Sequence, residues 1–211
     1  MTPLAYLAAF EPFGGRAKNR SWEVARKVKF PDGVELVQLP VEFAALGGAV
    51  ASLLSARPRA LLLLGEAPTR EVAVEGVALN LIHAEGADNS GSAPAGTSVI
   101  SGGPLALSAG WEVLSVVEAI RKAGVPARPS FHAGTFACNA ALYHALHLTS
   151  IAPSSTGGEG GAGERGGGAT PKPLVGFLHL PNRYRGPGSE MAALVRAVEV
   201  GMREIMNGGT P

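Results

Sequence analysis

Between Pro58 and Gly65 the chain carries Ala60, Leu61, Leu62, Leu63 and Leu64, an apolar run with no polar break. A run this short cannot cross a bilayer, which takes about 18 residues, and it is too short for a buried helix. It reads as a central β-strand covered on both faces, the kind of strand found where helices shield both sides of a mainly parallel sheet. The rest of the chain agrees, because short apolar runs bounded by Gly and Pro alternate with segments of helical period. Residues 4–9, 34–39, 127–132 and 174–180 read as further strands, and residues 72–83 as one strand or a hairpin. Gly65 is read as the end of the central strand.

Helical spacing marks the intervening segments. Ser21 is placed to cap a helix bearing Trp22, Ala25 and Val28, and Phe43, Leu46, Val50 and Leu53 follow on one face of the next. Residues 111–123 are predicted helical with Leu114, Val117 and Ile120 inward, a Glu118–Lys122 pair one turn apart, and Gly124 as terminator. Residues 138–148 form a fourth helix. Ser189 heads a last one with Met191, Leu194, Val195, Val198, Met202 and Ile205 along one face, ending at Asn207 and Gly208. Residues 88–103, rich in Ser, Gly and Pro, read as a long ordered loop. Residues 154–171 hold eight Gly and no aliphatic side chain larger than Ala, so a mobile surface loop is expected there.

At 211 residues one domain is expected over residues 1–211, and 46% hydrophobic against 17% charged residues excludes disorder throughout. A net charge of +1 gives no basic footprint for nucleic acid, and no apolar stretch is long enough for a membrane. The single Cys cannot form an internal disulfide and the N-terminal run lacks a basic leader, so a cytoplasmic protein is expected.

That cysteine, Cys138, sits near a helix start, where partial positive charge favours the thiolate, and Ala133, Gly134 and Thr135 form a tight turn that can expose it at the carboxyl edge of a sheet. The competing reading is a small buried hydrophobe. A nucleophilic Cys needs an imidazole. His144 and His147 lie one and two turns along the same helix, too far from the thiol, and they lack a third ligand for a metal. His83 and His132, near strand ends, stay open as candidates. His179, near the end of the apolar strand 174–180, is favoured because α/β enzymes place catalytic groups there. An orienting carboxylate is offered by Glu75, which stands inside an apolar segment where a charge is costly unless paired, although strand alternation equally allows it to face outward. Nucleophile-elbow, P-loop and zinc-helix motifs are absent from the sequence.

These residues resemble the pyroglutamyl-peptidase I (pyrrolidone-carboxylate peptidase) family of cysteine peptidases. The likeness rests on Phe10-Glu11-Pro12-Phe13-Gly14-Gly15 followed by Asn19 and Ser21-Trp22-Glu23, and on the segment 65–80, whose Glu-x-x-Ala-x-Asn spacing lands on Glu75. Asp88-Asn89-Ser90 and Ser101-Gly102-Gly103-Pro104 follow, then Ala133-Gly134-Thr135-Phe136-Ala137-Cys138-Asn139 and Phe177-Leu178-His179-Leu180-Pro181. The resemblance implies a single-domain, three-layer α/β/α sandwich with a twisted, mainly parallel open sheet. It implies removal of an N-terminal pyroglutamyl residue from peptides by Cys138, His179 and Glu75, with Phe10, Phe13 and Asn19 on the substrate-binding side. It also implies no metal or organic cofactor, and a homodimer or homotetramer.

The chain departs from the family pattern at Gly76, where a basic residue is usual, at Glu66 in place of a frequent Gln, at His132, at Asn182-Arg183, and in the Gly-rich stretch. Two rival readings follow: a non-catalytic member that binds a lactam-like ligand or a protein partner, and a nucleoside phosphorylase-like enzyme on a similar sheet.

Overall fold

The computed structural model describes residues 4–30, 32–151 and 172–208; the Gly-rich stretch 154–171 lies outside them. In chain order the elements are β1 (Ala5–Phe10), α1 (Arg20–Ala25), β2 (Val34–Leu39), α2 (Phe43–Ser55), β3 (Ala60–Ala67), β4 (Val72–Glu75), β5 (Val77–Leu79), β6 (Ile82–His83), β7 (Ala95–Thr97), β8 (Ala106–Ser108), α3 (Val113–Lys122), β9 (Ala127–Ser130), α4 (Ala137–Ile151), β10 (Leu174–Pro181) and α5 (Glu190–Met206). Six strands form one sheet in the order β2-β1-β3-β10-β4-β9. Every neighbouring pair in it is parallel except β10 with β4.

The Leu run explains the layering. Successive strand residues point to opposite faces, so Leu62 and Leu64 pack with α1, α3 and α5, while Leu61 and Leu63 pack with α2 and α4. All four are fully buried, as expected for a strand with helices on both sides.

Several local expectations are corrected. Strand β3 continues through Gly65 to Ala67. Residues 72–83 divide into β4, which joins the main sheet, and β5 and β6, which pair with β8 and β7 in separate antiparallel ladders; the expected loop 88–103 therefore contains β7. Asn19, not Ser21, caps α1, because its Oδ1 accepts the Ser21 N–H. Ser21 is instead buried and its Oγ accepts the Phe10 N–H, which ties the helix start to the end of β1. Leu114 is 69% exposed, and α3 turns Val116, Val117 and Ile120 inward.

The loop between β6 and β7 is anchored at the start of α2 by Asp88. Its Oδ2 accepts the Phe43 N–H, and its Oδ1 accepts from Ser90 N–H, Ser90 Oγ and Ser92 N–H. Burial opposes ionisation, but these donors outweigh it and hold the carboxyl below the usual carboxylate range. A depressed folded-state pKa means that the stabilisation is present above the unfolded-state value and is lost as pH falls through the folded one. Asp88→Ala is expected to cost about 2–3 kcal/mol by stranding buried donors. Urea unfolding at neutral pH checks this, and a loss that persists undiminished at strongly acid pH would contradict it.

Candidate active site

The site forms at the carboxyl edge of the main sheet, and strand alternation selects its side chains. Along β10, Leu178 and Leu180 face α1, α3 and α5, while Val175 and Phe177 face α2 and α4. His179 shares the second face by the same alternation. Along β4, Val72 and Val74 take the first face, which leaves Ala73 and Glu75 for the second. The antiparallel register sets Val74 opposite Leu178 and Ala73 opposite His179. Glu75 is thus the diagonal neighbour of His179 on that face, within reach of a long side chain. The contact forms: His179 Nδ1 lies 2.8 Å from Glu75 Oε1.

Helix α4 covers this face and brings Cys138 to it as the second residue of the helix. Ala140 N–H makes the first intrahelical bond, to Phe136 O, so the N–H groups ahead of it belong to the open helix end. Two features hold that helix start in place. The Asn139 carboxamide accepts the Leu79 N–H at 2.8 Å and donates to Leu79 O and Leu81 O, which fastens it to the segment just after Glu75. In the preceding turn, Gly134 takes φ +82°, and Thr135 exchanges hydrogen bonds with the backbone of His83.

Gly65 explains how thiol and imidazole meet over the sheet. It pairs with His179 across β3 and β10, and a Cβ there would stand 2.7 Å from Cys138 Sγ and 2.9 Å from His179 Cδ2. Burial alone would lower the His179 pKa. The charge interaction and hydrogen bonding with Cys138, followed by those with Glu75, outweigh burial and raise it to about 9. Glu75 is 1% exposed, and its Oε2 has no hydrogen-bond partner among the described residues, so His179 is the group that compensates its charge. Gly76, the departure beside it, donates its N–H to Ser130 O.

A cavity of about 930 Å³ opens over these three residues. Phe10, Phe13 and Asn19 all line it, together with Phe136, to which the sequence alone gives no role. The Phe136 ring meets Phe13 at 5.8 Å and Phe43 edge-on at 5.1 Å, giving an aromatic wall two residues from the thiol. Asn19 works from behind: its Oδ1 accepts from Ser21 N–H and Oγ, and its Nδ2 donates to Glu11 O, so it holds the Phe10–Phe13 loop in shape. Glu11 Oε1 in turn accepts from Val41 N–H and Asn89 Nδ2.

The other histidines make different contacts. His83 and His132 stand on the cavity rim, where His132 Nδ1 accepts the Gly134 N–H. His144 packs over Gly47 of α2, and His147 stacks on Tyr143. Among the described residues no group of three or more His, Cys, Asp or Glu is placed to hold a metal ion.

The family model described as pyroglutamyl peptidase matches residues 5–157. The chain belongs to this family. The matched stretch contains Cys138 and Glu75, and the whole-chain relatives extend over His179. The pyrrolidone-carboxylate peptidase of Chromobacterium violaceum is 36% identical and the alignment covers 97% of each chain. That of Cupriavidus taiwanensis is also 36% identical, over 93% of this chain and 88% of its own. Among solved structures, the pyrrolidone carboxyl peptidase of Thermus thermophilus superposes with a TM-score of 0.77 at 32% identity, covering 94% of this chain and 98% of that one. The pyroglutamyl peptidase I of Bacillus amyloliquefaciens gives 0.79 at 26% identity, covering 98% and 96%. The arrangement brings one thiol, one imidazole and one buried carboxylate together at the mouth of one cavity. The phosphorylase-like alternative is set aside by this membership.

Proposed function

We propose that the chain is a cysteine peptidase that removes an N-terminal pyroglutamyl residue from peptides, with Cys138 as nucleophile, His179 as proton carrier and Glu75 as its orienting partner. The observation that carries this reading is the meeting of the three side chains over Gly65, facing a cavity with an aromatic wall. The Cys138 thiolate attacks the carbonyl carbon between pyroglutamate and the next residue. His179, whose Nδ1 is held by Glu75, gives a proton from Nε2 to the departing amine as the C–N bond breaks. A water then loses a proton to the same nitrogen and attacks the thioester, releasing pyroglutamate and restoring the thiolate. The open N–H groups at the start of α4 are the donors this reading assigns to the developing oxyanion.

Two features of the cavity fit this substrate. A pyroglutamyl ring carries no terminal ammonium and suits apolar walls with few directed hydrogen bonds, and Phe13 and Phe136 provide such walls. A chain whose chemistry needs a free thiolate also suits a reducing compartment such as the cytoplasm. The self-association implied by the resemblance is read by light scattering, where a dimer or tetramer gives two or four times the 21.5 kDa of one chain.

Acid-quenched enzyme taken during the first turnover is expected to carry one pyroglutamyl group on Cys138 by mass spectrometry. Its absence alongside steady product release would exclude the thioester route. The pH profile is a second check. A folded-state His179 pKa raised to about 9 keeps the imidazolium through neutral pH, so kcat/KM should fall above about pH 9 as the proton for the leaving amine is lost. The same sign makes the stabilisation from this histidine complete below its unfolded-state value and lost through about pH 9. Glu75→Gln removes a charge that raises this pKa, so its alkaline limb should move toward acid. A limb that stays in place would rule out this pairing as its cause.

A further inference from the structure

Glu66, next to Gly65 on β3, faces the same cavity with its side chain only 7% exposed. Its oxygens are committed elsewhere. Oε1 accepts from Arg16 Nη1 at 2.6 Å and from Asn182 Nδ2 at 3.2 Å, and Oε2 accepts the Arg20 N–H at 2.8 Å. One carboxylate thus joins the loop after β1, the start of α1 and the turn that follows β10. The Arg16 guanidinium lies over the Phe13 ring, 4.5 Å from its centroid, and its Nε donates to Phe13 O. Phe13 then meets Phe136, two residues before Cys138.

We infer that Glu66 and Arg16 form a neutral clasp that positions the Phe13 wall of the ring-binding cavity, acting on substrate through Phe13 and not by touching it. The inference rests on the peptidase reading for what the wall receives. A carboxylate this buried is tolerated beside an apolar cavity because Arg16 cancels its charge and three donors saturate its oxygens. Burial opposes ionisation, yet the Arg20 N–H, Arg16 and Asn182 hold the carboxyl below its ordinary range, which agrees with an ionised carboxylate paired to Arg16. The guanidinium face over the ring adds a cation–π contact that fixes the ring plane. A neutral wall also suits a lactam, which carries no charge of its own.

Charge cancellation makes the proposal testable by rescue. Initial rates on a pyroglutamyl aminomethylcoumarin amide are measured for wild type, Arg16→Ala, Glu66→Gln and the double variant, with hydrogen exchange of residues 11–20 followed in the same proteins. Arg16→Ala leaves a stranded carboxylate and a loose Phe13, so KM should rise about tenfold with kcat within about twofold of wild type. The Gln in Glu66→Gln can still accept the Arg20 N–H, and its NH2 group can donate to Asn182 once that carboxamide turns to present its oxygen, so KM should rise about threefold. The double variant should return to the Glu66→Gln level, because it no longer strands a charge. Exchange across residues 11–20 should quicken in every variant. A KM unchanged in Arg16→Ala, a loss confined to kcat, or a double variant worse than Arg16→Ala would each overturn the clasp. If wild type fails to cleave the amide, the peptidase reading fails on its own, and unchanged exchange in the variants would still refute the clasp.

Discussion

Replacing His179 by Ala should lower kcat/KM by roughly 10³–10⁴-fold, the cost typical of losing one member of a nucleophile–base–carboxylate set. His179 is the imidazole that Glu75 holds at 2.8 Å, and it lies beside the Cys138 sulfur across Gly65. Without it the thiol loses its neighbouring imidazole and, in the proposed mechanism, the leaving amine loses its proton source. The variant also leaves Glu75 buried without a charged partner, so a stability loss of about 3–5 kcal/mol should accompany the loss of rate. The double variant His179→Ala/Glu75→Gln separates the two effects. It should regain most of the stability and none of the activity. If activity returned with stability, His179 would be a structural residue and the proton would come from elsewhere.

The second large effect is expected at Gly65. A methyl group there meets Cys138 Sγ at 2.7 Å, Phe177 Cζ at 2.8 Å and His179 Cδ2 at 2.9 Å, closer than Cβ contacts are tolerated. Three side chains must then move, two of them proposed to react, around a strand fixed by neighbours on both sides. Gly65→Ala should therefore cost about 1–3 kcal/mol in stability, as overpacking does in a filled core. It should also cost at least about 10²-fold in kcat, since displacements near 1 Å at reacting atoms have effects of that order. Gly201→Ala is a useful comparison, because its Cβ would press on Leu178 at 2.8 Å from the opposite face of the sheet. It should destabilise similarly and leave kcat near wild type. Equal kcat losses in both would show that the Gly65 effect is only general strain.

Gly65 also shows where sequence reading reached its limit. Glycine weakens strands, so local sequence ends β3 there, yet the strand continues because the missing side chain makes room for the Cys138 thiol from α4, 73 positions later in the chain. Close approach between distant segments leaves no local signal. The same holds for β5 and β8, three residues each, whose pairing of Leu79 with Ala106 is too short and too distant to show a period. Glu75 is a different case. Its apolar setting favoured a paired carboxylate, while alternation offered an outward-facing residue; the alternative fails because β4 lies inside the sheet and is buried at every position. The long elements were legible for the opposite reason. The Leu run of β3 and the apolar faces of α2 and α5 each repeat a local pattern over several turns or pleats. Cys138 at a helix start and His179 near a strand end could be read from position alone. Their convergence, and the part played by Phe136 and Glu66, required the fold.

The measurement that tests the central claim most directly is release of aminomethylcoumarin from its pyroglutamyl amide, under reducing conditions, by wild type and Cys138→Ala side by side. Cys138 is the only cysteine in the chain, so no other thiol can substitute for it. The account predicts steady turnover by wild type and none above background by a folded Cys138→Ala. Turnover that survives in the variant, or a folded and reduced wild type that releases nothing, would contradict it.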